Sequence, residues 1–196
     1  MQRSMENERS RLREKLTAEG ALEVTAADVD RVQQKLADHA AQMTGKARQF
    51  TEAAVAAQEP FMAATKAYQQ AYGAFVDAGG CDPEQLRTPT DVRTRRELSE
   101  AAHTASMATV TTLERVPRDL EARLRDLGAS QHEVTEALDS YKCSGRYDTV
   151  LILRRADAAC IGAGVALLRF LEESWGQWRY DTDTARLVFD ADAQAT

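Results

Sequence analysis

Apolar residues recur every seven positions along the first half of the chain. One row reads Val29, Leu36, Met43, Phe50, Ala57, Ala64, Ala71, and a neighbouring row reads Ala40, Ala47, Ala54, Phe61, Tyr68, Phe75. A strict seven-residue repeat keeps one helix face on a partner and imposes a left-handed supercoil. The pattern predicts one long helix from about residue 25 to 78. Thr25 with Asp28 supplies a capping box, and Val24 with Val29 a hydrophobic staple. Pro60 predicts a kink, and Gly79-Gly80 the stop. Residues 1–24 before this helix read as a charged segment, helical or frayed.

After a loop over Gly79–Thr90, Thr88-Pro89 with Asp91 starts a second helix, and Asp82-Pro83-Glu84 forms a short turn within the loop. The second apolar stripe is Leu98, Ala102, Ala105, Val110, Leu113, Leu120, Leu124 and Leu127, with a kink expected at Pro117. Gly128 predicts a bend, and Ser130 with Glu133 caps a short helix to about Lys142. Cys143-Ser144-Gly145 breaks the chain before a third long helix from Arg146 to Ser174. This helix is apolar nearly all round its middle, which predicts burial on several sides. The tail alternates: Gln177–Tyr180 and Ala185–Phe189 flank the turn-like Asp181–Thr184, so a β-hairpin is expected. An isolated hairpin is marginal in water, so Trp175, Trp178, Val188 or Phe189 must pack on the helices.

Composition agrees with this reading and narrows it. Of 196 residues 34 are alanine, while glycine and proline number only 10 and 4. Alanine favours helix and the other two oppose it. Much of the alanine lies on the seam of the first helix and on the small-residue rows Ala158, Gly162, Ala166 and Ala159, Ala163, where helix backbones can approach closely. The fold class that follows is all-α: an elongated antiparallel three-helix coiled coil with kinked long helices and a small C-terminal β-hairpin. Its domain spans 25–174, and residues 175–196 form a hairpin and acidic tail packed on the bundle.

Length then sets an expected packing. The first helix and the 89–142 element are nearly equal, and the third is about half as long. An up-down-up arrangement lays the third helix on residues 29–60 and 110–142, with the hairpin near Pro60. Residues 61–110 are left as a two-helix arm whose Phe61, Tyr68, Tyr72 and Phe75 need cover. A second copy of the chain is the simplest cover, so a homodimer is expected.

Long kinked helices in a three-helix antiparallel bundle resemble the BAR-domain family over residues 25–174. The resemblance lies in helix order, the Pro60 and Pro117 kinks and the seven-residue stripe, with no family sequence motif matched. It implies a homodimer that binds or shapes anionic membranes. The net charge of −6 and the terminal hairpin depart from the family pattern.

Charge and motif bound the chemistry. The acidic balance speaks against non-specific nucleic-acid binding. Basic residues that can meet an anionic lipid or acidic partner are Arg87, Arg93, Arg95, Arg96, Arg115 and Arg118. Interleaved acids such as Glu97, Glu100 and Asp119 offer them ordinary surface pairing instead. Glu100 and His103 share the Glu-x-x-His spacing of di-iron helices, but no second such motif exists, so no metal, cofactor or catalytic residue is expected. His39 lies near the first seam as a pH-sensitive or a merely satisfied histidine. Cys81, Cys143 and Cys160 have no ligand spacing and read as reduced thiols of a cytoplasmic protein, one that the BAR resemblance would place at the periphery of a membrane. The aromatic group Trp175, Trp178 and Tyr180 reads as the hairpin's anchor or as an epitope. The favoured function is a non-enzymatic homodimeric scaffold with BAR-like membrane binding as its sharpest form. The alternative is a soluble interaction module, an adaptor or chaperone, using the aromatic arm.

Overall fold

The computed structural model describes residues 30, 31, 34, 35, 38, 41–144 and 147–189. The expected caps at Thr25 and Asp28, the staple, His39 and the segment 1–24 lie outside them. Helix α1 runs Gly45–Asp77, α2 Pro89–Asp126, α3 Gln131–Ser144 and α4 Tyr147–Glu173, with a 3-10 turn Pro83–Gln85 between α1 and α2. Strands β1 (Trp178–Asp181) and β2 (Arg186–Phe189) close the described chain as an antiparallel hairpin, with Trp178 opposite Phe189 and Asp181 opposite Arg186. The chain is therefore mostly helical with a small two-stranded sheet, as its composition and tail pattern predict.

Local signals placed most boundaries. Thr88 accepts from the Asp91 amide and Asp91 returns the bond to Thr88, a complete capping box with Pro89 at the first helical position. Asp82 accepts from the Glu84 amide at the start of the 3-10 turn. The helices continue through Pro60 and Pro117.

The first helix is not the single rod that the seven-residue rows predict. Gln42–Thr44 leave helical geometry, and Thr44 is extended at φ −132° before Gly45 opens α1. Lys66 Nζ lies 3.1 Å from the Asp30 carboxylate. In one continuous helix these residues would stand about 54 Å apart. Asp30 thus lies alongside α1, and the helix is interrupted at Met43 of the seven-residue row.

A second correction concerns Gly128. Its amide donates to the Arg125 carbonyl at 2.9 Å and the Ala129 amide to the Leu124 carbonyl at 3.0 Å, the paired bonds that end a helix at a left-handed glycine. The chain reverses there, so α3 folds back along α2 instead of extending it. Ser130 caps α3 as predicted, giving its amide and hydroxyl to Glu133 at 2.8 Å each. Val134 joins Ala53, Ala57, Val116, Leu120 and Leu124 in one buried cluster, with Phe50 and Phe61 packed against it.

Helix α4 continues in the direction of α3 and antiparallel to α2. Arg155 meets Glu114 at 2.6 Å and Arg169 meets Glu100 at 2.9 Å, which fixes the register. Tyr68, Ala102 and Ile161 form the middle of the core, and Phe75, Leu86, Val92, Leu168 and Leu171 its far end. The hairpin docks on that far end through Trp175, Trp178, Leu187 and Phe189, and the Trp178 indole N–H donates to the Leu171 carbonyl at 2.9 Å. It therefore sits beside the Gly79–Leu86 loop, not near Pro60. The predicted uncovered arm does not exist, because the reversal at Gly128 sends α4 down over it.

The Lys46–Glu133 contact at 2.6 Å ties α3 to the start of α1. Lys46 and the Ser130 donors hold the Glu133 carboxyl down at about 2, against 4.5 for a free one. A depressed carboxyl contributes stability above 4.5 that fades as pH falls towards 2. The Glu133→Gln variant is expected to melt lower than the parent at neutral pH, with the gap closing on acidification across that window. Thermal melts at stepped pH check it, and a gap that widens in acid would contradict the assignment.

Candidate functional site

The residues predicted to wait for a partner are largely satisfied within the chain. Tyr68 and Phe75 are buried, and Phe61 packs on the first core cluster. Burial, with Asp157 nearby, pushes the Tyr68 phenol above its usual range. The Arg154 guanidinium lies 6.0 Å from the Tyr68 ring. Only Tyr72 of the four stays exposed, its ring tilted against Tyr68 and Phe75 at 5.7 and 6.3 Å.

The basic candidates divide sharply. Arg95 is only 7% exposed and holds the α1–α2 loop, donating to the Gly80 carbonyl at 3.3 Å and to Gln85 at 3.1 Å. Arg93 and Arg96 both pair with Glu172 of α4, and Arg96 also reaches Glu100 at 2.8 Å. Hydrogen bonds from Arg96 and Arg93 draw the Glu172 carboxyl below the ordinary carboxylate range. Bonds from Arg169 and Arg96 do the same for Glu100. Arg87 donates to the Glu84 carbonyl at 3.2 Å. Arg115 and Arg118 are exposed and have no partner among the described residues. The six arginines thus form no common basic surface.

Glu100 and His103 do not converge on a metal site. Glu100 is occupied by two arginines, and a Cβ on Gly162 would lie 3.1 Å from His103 Nε2, so His103 seats the close approach of α2 and α4. No group of three metal-ligating side chains occurs among the described residues. All three cysteines are free, and burial raises the Cys81 thiol. Trp175 and Trp178 meet edge-on at 5.2 Å and anchor the hairpin. They also line an open cleft with Pro83, Arg87, Arg179 and Tyr180, which the sequence signalled only as an aromatic group.

The surface that sequence reasoning missed is the outer face of α4. This helix is buried along one stripe only: Ala158, Ile161, Val165, Leu168 and Leu171. On its opposite side Ile152 is 65% exposed, Leu153 57%, Leu167 41% and Phe170 51%. Ala156, Ala159, Cys160, Ala163 and Ala166 are exposed among them. At 100° per residue these side chains fill one sector, and between Ile152 and Phe170 no charged residue falls inside it. Within the sector, Ile152, Ala156, Ala159, Ala163, Ala166 and Phe170 follow steps of 4, 3, 4, 3 and 4, the spacing of a coiled-coil seam. That spacing was legible from the start, but all-round apolarity reads as burial.

No helix among the described residues is long and apolar enough to cross a membrane. Comparison with protein-family models, curated proteins and solved structures finds no match to this chain.

Proposed function

We propose that this chain is a non-enzymatic helical scaffold that acts as a homodimer, with the outer face of α4 as its working surface. The observation that carries the reading is the uncharged apolar sector containing Ile152 and Phe170, both more than half exposed. Water-facing apolar surface on this scale marks an interaction site. The homodimer expected from the sequence is kept, with its seat moved from the aromatics of residues 61–75 to α4. The elongated three-helix coiled coil and the cytoplasmic location belong to the same proposal.

A BAR-like membrane-shaping form has less support, because it needs a continuous basic surface. Of the six candidate arginines only Arg115 and Arg118 remain unengaged, and two charges supply about 2 kcal/mol of attraction to an anionic leaflet at best. A soluble adaptor that docks a different protein on the same α4 face is the alternative.

Sedimentation of the full chain over a range of micromolar concentrations tests the proposal. The expected result is a species of twice 21.7 kDa that persists in high salt, since apolar contact is not screened. A 21.7 kDa species at every concentration would overturn the homodimer. The adaptor alternative predicts that monomer, gaining mass only when a second protein is supplied.

A further inference from the structure

The apolar sector of α4 is a palindrome. Ile152 and Phe170 are equally far from Ile161, as are Ala156 and Ala166, and Ala159 and Ala163. The seam therefore reads large, four small, large in either direction. The flank beside it is nearly symmetric about a point one residue away: Leu153 and Leu167 stand seven residues to either side of Cys160, so each Leu153 falls about 3 Å along the axis from the partner's Leu167. A two-fold interface uses the same patch twice and requires such self-complementarity.

We infer that two copies of α4 pack antiparallel across a two-fold axis beside Ile161, a geometry that rests on the homodimer proposed above. Ile152 of one copy then meets Phe170 of its partner at each end, and alanine faces alanine between them. The alanines allow an interaxial distance of about 8 Å, the close end of the helix-packing range. Area supports the same occupant. The exposed fractions across the sector correspond to roughly 600 Å² per copy, at the upper limit for a monomer's largest patch. A pair would bury roughly 1,200 Å², where specific interfaces begin. Arg155 and Arg169 border the opposite flank, and their charges are already met by Glu114 and Glu100 on α2. Bringing them near the partner's arginines adds no unpaired cation to the interface.

The two-fold axis makes Cys160 its own reporter. Both Cys160 side chains lie on one side of the paired helices, about 3 Å apart along the axis. Cys160 lies about 80° round the helix from the seam, so at this interaxial distance the two Cα atoms stand about 8 Å apart, beyond an unstrained disulfide but within the span of a short bis-maleimide. Chains keeping only Cys160 (Cys81→Ser with Cys143→Ser) or only Cys143 (Cys81→Ser with Cys160→Ser) are treated with a short bis-maleimide. The expected result is a covalent dimer from the Cys160 chain and none from the Cys143 chain. A second test does not depend on thiols. The double variant Ile152→Asp with Phe170→Asp and the double variant Ile152→Lys with Phe170→Lys should each weaken self-association about tenfold or more. Mixing them should restore the dimer, because Ile152→Asp of one copy then faces Phe170→Lys of the other.

A dimer in sedimentation that gives no Cys160 cross-link and ignores both charge variants overturns this geometry while leaving the homodimer standing. A monomer at all concentrations overturns both. A monomer whose Cys160 resists labelling overturns both as well, and assigns the face to the chain's own residues 1–29.

Discussion

Leu168→Ala is expected to lower stability by about 2–5 kcal/mol, the usual cost of emptying a fully buried leucine site. Leu168 has no exposed surface and packs with Phe75, Leu86, Val92 and Leu171, where α1, α2, α4 and the hairpin meet. Two terms add: the lost transfer energy of the side chain, and the cavity left where several elements converge. A total stability of about 5–15 kcal/mol makes this a large share of the whole. The comparison that gives the result meaning is Leu167→Ala, one residue along and 41% exposed on the outer face. Measured by urea unfolding below the concentration of self-association, Leu167→Ala should shift stability by only about 0.5 kcal/mol. At high concentration it should weaken the dimer instead. Equal losses for the two in dilute solution would mean that α4 is buried on both sides, as its composition suggests.

That contrast marks where the sequence was legible and where it was not. Local signals read well because their chemistry is local. The capping boxes at Thr88 and Ser130, the 3-10 turn after Asp82 and the hairpin around Asp181–Thr184 each need only a few neighbouring residues. Direction was harder to read. The seven-residue rows run through Gln42–Thr44 in register although the helix stops there, since periodicity records which face is apolar and not where the chain turns. Gly128 with a following capping box marks a bend and a reversal alike, and that one ambiguity moved α4 and the hairpin to the wrong end.

The seam of α2 was hidden for a different reason. Its buried positions include Arg95, Ser99, Ser106 and Thr109, polar residues that a search for apolar stripes passes over in favour of Leu98 and Ala105. Thr109 resolves its burial by donating to the Ala105 carbonyl at 3.0 Å. Arg95 resolves its own by serving the loop. A buried arginine in a surface-coded cluster is visible only once the loop that it supports has been placed.

Gly79→Ala tests that loop and should cost about 2–5 kcal/mol, well above the same change at Gly128. Both glycines have positive φ, +100° and +72°. Each alanine therefore incurs a conformational penalty of about 1–2 kcal/mol. Around Gly128 nothing lies within 4 Å of a new methyl, so its cost ends there. At Gly79 the methyl would fall 2.4 Å from Gln85 Oε1 and 2.9 Å from both terminal nitrogens of Arg95. Those atoms are side-chain ends and can move, but the movement breaks the Arg95–Gln85 bond and pulls Arg95 from the Gly80 carbonyl. An arginine only 7% exposed then loses its acceptors, which adds about 1–3 kcal/mol. The mechanism predicts coupling. With Arg95→Met already in place, Gly79→Ala should cost less and approach the cost of Gly128→Ala, because the guanidinium is gone and Gln85, released from it, can swing its Oε1 aside. Urea unfolding of the four chains of this cycle measures it. If the Gly79→Ala penalty is unchanged in the Arg95→Met background, the loop is limited by backbone strain alone and Arg95 does not hold it.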